Sequence, residues 1–213
     1  MALQVCETFY SLMGESSRAG LPAFFIRLSG CNLRCRYCDT VYAYEEGQEM
    51  AVADLLKTAG ACPTRLVLVT GGEPLLQEDT LNLLVGLAEA GCEVCLETNG
   101  SRPIDRVDAR VHRILDLKCP GSGMVGENYW QNLEWLTVRD EIKFVVSDRD
   151  DFLWALKVIR EYDLAGRLPL LISPVFGQVA APEAAAWILA SRLPLRLNLQ
   201  LHKYLWGAEA RGV

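Results

Sequence analysis

The sequence has no long apolar run, no block of basic residues and only two histidines in 213 positions. No stretch approaches the ~20 apolar residues that span a bilayer, so no membrane-crossing helix is expected. The opening MALQVCETFY lacks the basic start, long apolar middle and small-residue cleavage site of a signal peptide, which makes the cytoplasm the expected compartment. Lysine and arginine are scattered and the net charge is −6, so no basic face for nucleic acid is expected. Repeats, low-complexity tracts and linkers are also missing, and a single domain spanning 1–213 is the expected organisation. Eight cysteines in a reducing compartment read as ligands, catalytic groups or small core residues rather than disulfides.

What is present is a strand-like run followed by a helix-like run, several times over, in a chain whose 51% hydrophobic content can build a large core. Strands are expected at 23–30, 65–70, 93–98, 113–118, 141–146, 168–173 and 195–201. Helices are expected at 50–60, 78–91, 128–136, 149–163 and 182–191, with Gly60 and Gly91 as stops and Pro182 at the first helical position. Strands read as apolar on both faces and alternating with helices predict an α/β fold with a parallel sheet, a partial, open TIM-like barrel with helices outside. In such a fold the chemistry sits where strands end. SGCNLRC, TGGEP, ETNGS, DLKCP, ISPV and QLHK all fall at expected strand ends. Six on one rim make a site.

The stretch GCNLRCRYCDT puts Cys31, Cys35 and Cys38 on one loop after the first expected strand. Three thiolates can hold three corners of a cubane iron–sulfur cluster and leave one iron open, as a catalytic centre requires. By spacing alone, three of four zinc ligands or three small core residues remain alternatives. Cys92 and Cys95 mimic a CxxC motif, but they enter a strand where side chains diverge; they and Cys6, Cys62 and Cys119 read as packing.

With Tyr37 before the last cysteine and GGEP at 71–74, the chain resembles the radical S-adenosylmethionine (SAM) superfamily. That resemblance implies a 4Fe–4S cluster on the three cysteines, SAM chelated at the open iron, and a radical that takes hydrogen from an unactivated carbon. The segment SLMGESSRAGLPAFFIRLSGCNLRCRYCDT, with DLKCP and LHKYLW later, resembles the 7-carboxy-7-deazaguanine synthase family in particular. This implies conversion of 6-carboxy-5,6,7,8-tetrahydropterin to 7-carboxy-7-deazaguanine and ammonia in 7-deazapurine (queuosine) biosynthesis, with SAM regenerated and Mg2+ required. It also implies a homodimer and a reductant such as flavodoxin or ferredoxin. A radical SAM activase or an enzyme on another substrate, and a non-catalytic zinc or iron–sulfur module, are the rival readings.

The resemblance assigns Tyr37, Cys38, Asp39, Gly71, Gly72, Glu73, Thr98, Asn99, Asp116, Lys118, Ser173 and Pro174 to SAM. It assigns Leu12, Met13, Gly14, Glu15, Arg27, Thr70, Gln200 and His202 to the pterin, and Thr40 to Mg2+. Several roles also follow from side-chain chemistry. Arg27 can grip a carboxylate through two parallel hydrogen bonds, or be an ordinary surface residue. Glu15 can accept from pterin N–H groups, or sit on an exposed turn. Glu73 can accept from an ammonium, and Lys118 suits the SAM carboxylate. Thr40 can supply one oxygen to magnesium, or cap the next turn. Thr98, Asn99 and Gly100 offer a polar turn that is also an ordinary Asn-Gly pair. Gln200 and His202 are expected on one face of the last strand, where a lone histidine can equally be structural. Met13 departs from the expected glutamine, a change that a backbone contact would survive.

Overall fold

A computed structural model describes all residues, 1–213. Nine strands form one sheet: β1 Ala2–Leu12, β2 Pro22–Leu28, β3 Gln48–Ala51, β4 Leu66–Gly71, β5 Glu93–Thr98, β6 His112–Leu117, β7 Glu141–Val146, β8 Leu170–Pro174 and β9 Leu195–Leu197. The order is β3-β1-β2-β4-β5-β6-β7-β8-β9. From β2 to β9 every neighbour is parallel, while β1 runs antiparallel to both β2 and β3. The sheet does not close on itself, so the expected open barrel is what forms. Helices α1 Val52–Ala61, α2 Asp79–Glu89, α3 Asn132–Trp135, α4 Arg149–Glu161 and α5 Ala181–Ser191 lie in the crossovers, and α6 Leu201–Trp206 follows β9. None is long and apolar enough to cross a membrane.

Side chains alternate along each strand, and the alternation separates two interiors. Phe24, Ile26 and Leu28 of β2, Val67 and Val69 of β4, and Ile142 and Phe144 of β7 join a 35-residue core between sheet and helices. On the opposite face Ala23, Phe25, Leu66, Leu68, Cys95 and Ile114 form a separate cluster of seven with Met13. Further along the same face the residues become Arg27, Thr70, Glu97, Asp116 and Lys143. The strands are therefore apolar on both faces only over their first half, which corrects the sequence reading.

Other differences have local causes. The first strand, Ala2–Leu12, was not foreseen, because one extra residue between Val5 and Glu7 breaks its alternation. Met50 and Ala51 belong to β3 rather than to α1, since they pair with Leu3 and Ala2. The helix expected at 128–136 shrinks to the single turn 132–135. Asn132 bonds the backbone of Ile104, Gly100 and Arg102, and Asn128 bonds that of Lys118, so both side chains serve the loop instead of a helix. Pro182 is the second residue of α5, not the first. The last strand stops at Leu197, and 201–206 is helical; Gln200 and His202 do not share a strand face.

At the far end of the sheet from the polar half, Asp140 joins the starts of β6 and β7. Its carboxylate accepts from Arg113 Nε at 3.1 Å and Nη2 at 2.7 Å, from the Arg113 and Thr137 amides, and from the Thr137 hydroxyl. Burial works to raise this carboxyl, but the Arg113 bonds outweigh it and hold it below its usual value. The stabilisation is therefore present above the ordinary carboxylate range, near pH 4, and is lost as pH falls through the lower folded value. The two side chains are only 6% and 1% exposed. Asp140→Asn strands a buried guanidinium and should cost about 3–5 kcal/mol, read as a lowered urea midpoint with the binding properties of the distant cavity unchanged.

Candidate active site

The carboxyl ends of the parallel strands surround a cavity of about 340 Å³. Cys31, Cys35 and Cys38 line it, and the other five cysteines do not. All three are free and half-buried, and burial pushes the thiols of Cys31 and Cys35 above their ordinary value. No three His, Cys, Asp or Glu side chains converge on a single ion. An iron–sulfur cluster shares its thiolates among separate irons and does not need such convergence.

The glycine pair after β4 is explained by close packing. Gly71 has φ +141°, where a side chain is strained, and a Cβ there would strike the Leu28 backbone. A Cβ on Gly72 would strike the Gly30 carbonyl and come within 2.9 Å of Cys31 Cβ. Gly72 N–H donates to Leu28 O and Glu73 N–H to Gly30 O at 2.8 Å, so the cysteine loop rests directly on this turn. Glu73 itself differs from expectation. It is fully buried, lies outside the cavity wall, and accepts from the Leu75 and Asn99 amides and the Thr98 hydroxyl. It braces two strand ends and leaves no oxygen facing a ligand amine; burial raises its carboxyl.

Three further assignments meet the same correction. Met13 is 1% exposed, packed in the smaller core, and its amide and carbonyl are bonded to Leu21 and Gly20. Ser173 bonds Asn198, and Pro174 is buried beside it; neither lines the cavity. The remaining candidates do line it: Leu12, Gly14, Glu15, Arg27, Tyr37, Asp39, Thr40, Thr70, Gly71, Gly72, Thr98, Asn99, Asp116, Lys118, Gln200 and His202, with the three cysteines.

Their polar contacts divide the cavity. On the cysteine side, Asn99 Nδ2 donates to Asn32 and lies 3.8 Å from Cys31 Sγ, and Tyr37 donates to Val145 O. Lys118 pairs with Asp116 at 2.9 Å. Burial disfavours both charges, yet their mutual attraction wins, raising Lys118 and lowering Asp116. At the opposite side, Lys143 reaches Glu15 at 2.8 Å, Asp116 at 3.5 Å and also Glu97, whose second oxygen accepts from Thr70. Burial works against the Lys143 ammonium, but Glu15 and then Glu97 keep it charged. Arg27 pairs with Glu7. Thr40 precedes the turn 41–44, but its hydroxyl makes no capping bond and donates instead to Asp39 at 2.9 Å.

Asp39 also accepts from Gln200 at 2.9 Å and Lys203 at 2.6 Å, which docks α6 onto the cysteine loop. Burial favours the neutral acid, but Lys203 holds the carboxyl well below the usual range. His202 packs on Gly14, where a Cβ would collide with the imidazole, and burial lowers its pKa against the pull of Glu15 and Asp39. Sequence reasoning missed Glu97, Lys143, Lys203, Glu7 and the tail from Ala208 to Val213, which closes one side of the cavity. The signal for Glu97 and Lys143 was available: each is a charge at an inward position beside apolar neighbours, Leu96 for one and Ile142 and Phe144 for the other.

Comparisons with known proteins agree with this geometry. The Radical SAM superfamily model matches residues 25–171. A 7-carboxy-7-deazaguanine synthase of Chlorobaculum tepidum is 46% identical over 99% of this chain and 97% of its own. That of Koribacter versatilis is 39% identical over 99% and 100%. Among solved structures, QueE from Escherichia coli superposes with a TM-score of 0.78 at 25% identity, covering 93% of this chain and 94% of that one. Streptococcus suis SuiB, 15% identical with a TM-score of 0.55 over 80% of this chain and 47% of its own, shares the fold.

Asp39 is the carboxylate that ties α6 to the cysteine loop. Asp39→Asn removes the charge that holds Lys203 while keeping the shape. Hydrogen exchange across 200–206 should quicken at least several-fold, with exchange in β4–β7 unchanged.

Proposed function

The chain belongs to the 7-carboxy-7-deazaguanine synthase family of the radical SAM superfamily, and on that footing we propose that it converts 6-carboxy-5,6,7,8-tetrahydropterin to 7-carboxy-7-deazaguanine and ammonia. The observation that carries the proposal is the gathering of three free cysteines, the Arg27 guanidinium and a carboxylate-rich wall in one cavity. Membership brings with it a 4Fe–4S cluster and SAM. Cys31, Cys35 and Cys38 would hold the cluster, and together with SAM it supplies a radical able to take hydrogen from an unactivated carbon.

The chain's own residues bind and orient. Asn99, Thr98 and the Asp116–Lys118 pair face the cysteine side, where Lys118 offers an ammonium to the SAM carboxylate and Asp116 keeps it charged. Tyr37 presents an aromatic face beside Cys38, suited to adenine. Arg27 takes the pterin carboxylate from the β2 side. Glu15 accepts N–H groups of the pterin ring, and Lys143 and Gln200 fix its two oxygens. His202, kept neutral at pH 7 by its burial, adds a hydrogen-bonding nitrogen. Thr40 offers an oxygen to Mg2+, which keeps several waters and needs few protein ligands. The tail 208–213 and α6 limit water access from outside.

We also propose a single functional domain over 1–213, a cytoplasmic homodimer, and a one-electron donor such as flavodoxin or ferredoxin. Substrate and product differ by one ammonia, so the overall conversion is redox-neutral and the donor serves only to start it.

Anaerobic incubation with dithionite, SAM, Mg2+ and carboxytetrahydropterin should give the deazaguanine acid and ammonia by mass spectrometry; absence of both overturns the proposal. Cys35→Ala should lose the visible absorbance of the reconstituted cluster and all turnover while keeping its circular dichroism, because the loop lies at the rim. Thr40→Ala should retain cluster and SAM but respond less to Mg2+, with turnover lower by up to ~100-fold. Superimposable magnesium titrations would remove Thr40 from the metal site.

A further inference from the structure

Arg27 is held from behind. In β1, the extra residue at Cys6 shifts the pairing from Val5 opposite Leu28 to Glu7 opposite Arg27. Such bulges re-aim a side chain, and here the shift brings a carboxylate onto the arginine that faces the cavity. Glu7 Oε1 accepts from Arg27 Nε at 2.7 Å and from the Tyr42 hydroxyl at 3.0 Å. Glu7 is not part of the cavity wall, whereas Arg27 and Tyr42 are. The two terminal guanidinium nitrogens of Arg27 make no hydrogen bond to the protein. The rings of Phe9 and Tyr42 each lie 6.0 Å from the guanidinium carbon, and Phe9 is itself fixed by stacking on Phe25 at 4.6 Å.

We infer that Glu7 is a positioning residue: with Tyr42 it fixes the guanidinium of Arg27 through Nε and leaves both terminal nitrogens for a ligand carboxylate. The inference rests on the carboxylate-binding role proposed for Arg27. A guanidinium has five donors in one plane, so a carboxylate on Nε settles the rotation of that plane. Without it the side chain is free to turn among rotamers, and the paired geometry that distinguishes a carboxylate from a neutral group is lost. Glu7 would therefore set the preference for an acid over an uncharged analogue without touching either. Tyr42 contributes by orienting Glu7, and Arg211 stacks on the Tyr42 ring at 3.7 Å while pairing with Glu46 at 3.1 Å.

The test is equilibrium binding of 6-carboxy-5,6,7,8-tetrahydropterin and of its 6-carboxamide to cluster- and SAM-loaded protein, without reductant. Wild type should prefer the acid, and Arg27→Ala should abolish the preference. Glu7→Ala should weaken the acid by roughly tenfold and the amide little, as expected for loss of an outer partner that orients a ligand. Glu7→Gln, whose amide oxygen can still accept from Nε, should recover part of the loss; Tyr42→Phe should show a smaller loss of the same kind. In the Arg27→Ala background, Glu7→Ala should change nothing further. Equal weakening of acid and amide by Glu7→Ala and Tyr42→Phe, or wild-type preference in both, overturns the positioning role. If Arg27→Ala keeps the preference for the acid, the role of Arg27 falls first, and the inference about Glu7 falls with it.

Discussion

A buried ammonium needs partners, and the inner face of this sheet is arranged around one. Lys143 is 6% exposed and lies between Glu15, Glu97 and Asp116, which come from the loop after β1, from β5 and from β6. An unpaired charge at that depth costs several kcal/mol, so the three carboxylates and the lysine constrain one another's positions. The group ties the loop after β1, which no ladder joins to β7, onto three neighbouring strands. Lys118 adds a second ammonium through Asp116. Three carboxylates against two ammonium groups leave one acceptor's worth of negative charge on the wall. Such a wall suits a ligand edge rich in N–H donors and disfavours one that is purely acidic. Arg27, the group proposed to take the ligand carboxylate, stands apart on β2 with its own counter-charge.

The parts of this site that could be read from the sequence are those whose meaning is local. Three cysteines within eight residues, a glycine pair at a strand end and an aromatic before the last cysteine keep their significance however the chain is folded. The parts that could not be read depend on pairing across distance. Glu73 looked like a ligand because it follows the glycines, but Thr98 and the Asn99 amide, at the end of the neighbouring strand β5, claim both its oxygens. Met13 looked like a pterin neighbour by its place in a motif, yet Phe25, Leu68 and Ile114 enclose it in the small core. Lys143 was visible in EIKFVV as an inward charge, but its meaning depends on partners from β5, β6 and the loop after β1.

The architecture was legible for the same reason in reverse. Crossover helices and parallel strands follow from runs of one period after another, and that pattern survives a few misplaced ends. The antiparallel β1 did not, because its extra residue at Cys6 shifts the alternation in mid-strand. The last strand was overextended through 201 because LRLNLQL alternates well. Asn198 ends the ladder by its side chain, which accepts from Ser16 N–H at 2.8 Å and donates to Ser173 Oγ at 3.0 Å. From that point the chain serves the open edge of the sheet rather than its interior.

That open edge is where fold and site become one problem. A closed barrel would satisfy its last strand with its first; here the gap between β9 and β1 is bridged by the segment that carries Glu15. Ser16 bonds Asn198, the Gly14 carbonyl accepts from Leu201 N–H at 2.9 Å, and Glu15 takes Gln200 on one oxygen and Lys143 on the other. Gly14 must lack a side chain because His202 of α6 occupies the space. Asp39 then fastens α6 to the cysteine loop. The contacts that seal the seam are thus the same ones that orient the residues expected to meet the pterin. Loosening the seam would displace Glu15 and His202 together, so the open barrel can be stable at this edge only in the geometry that also shapes the cavity.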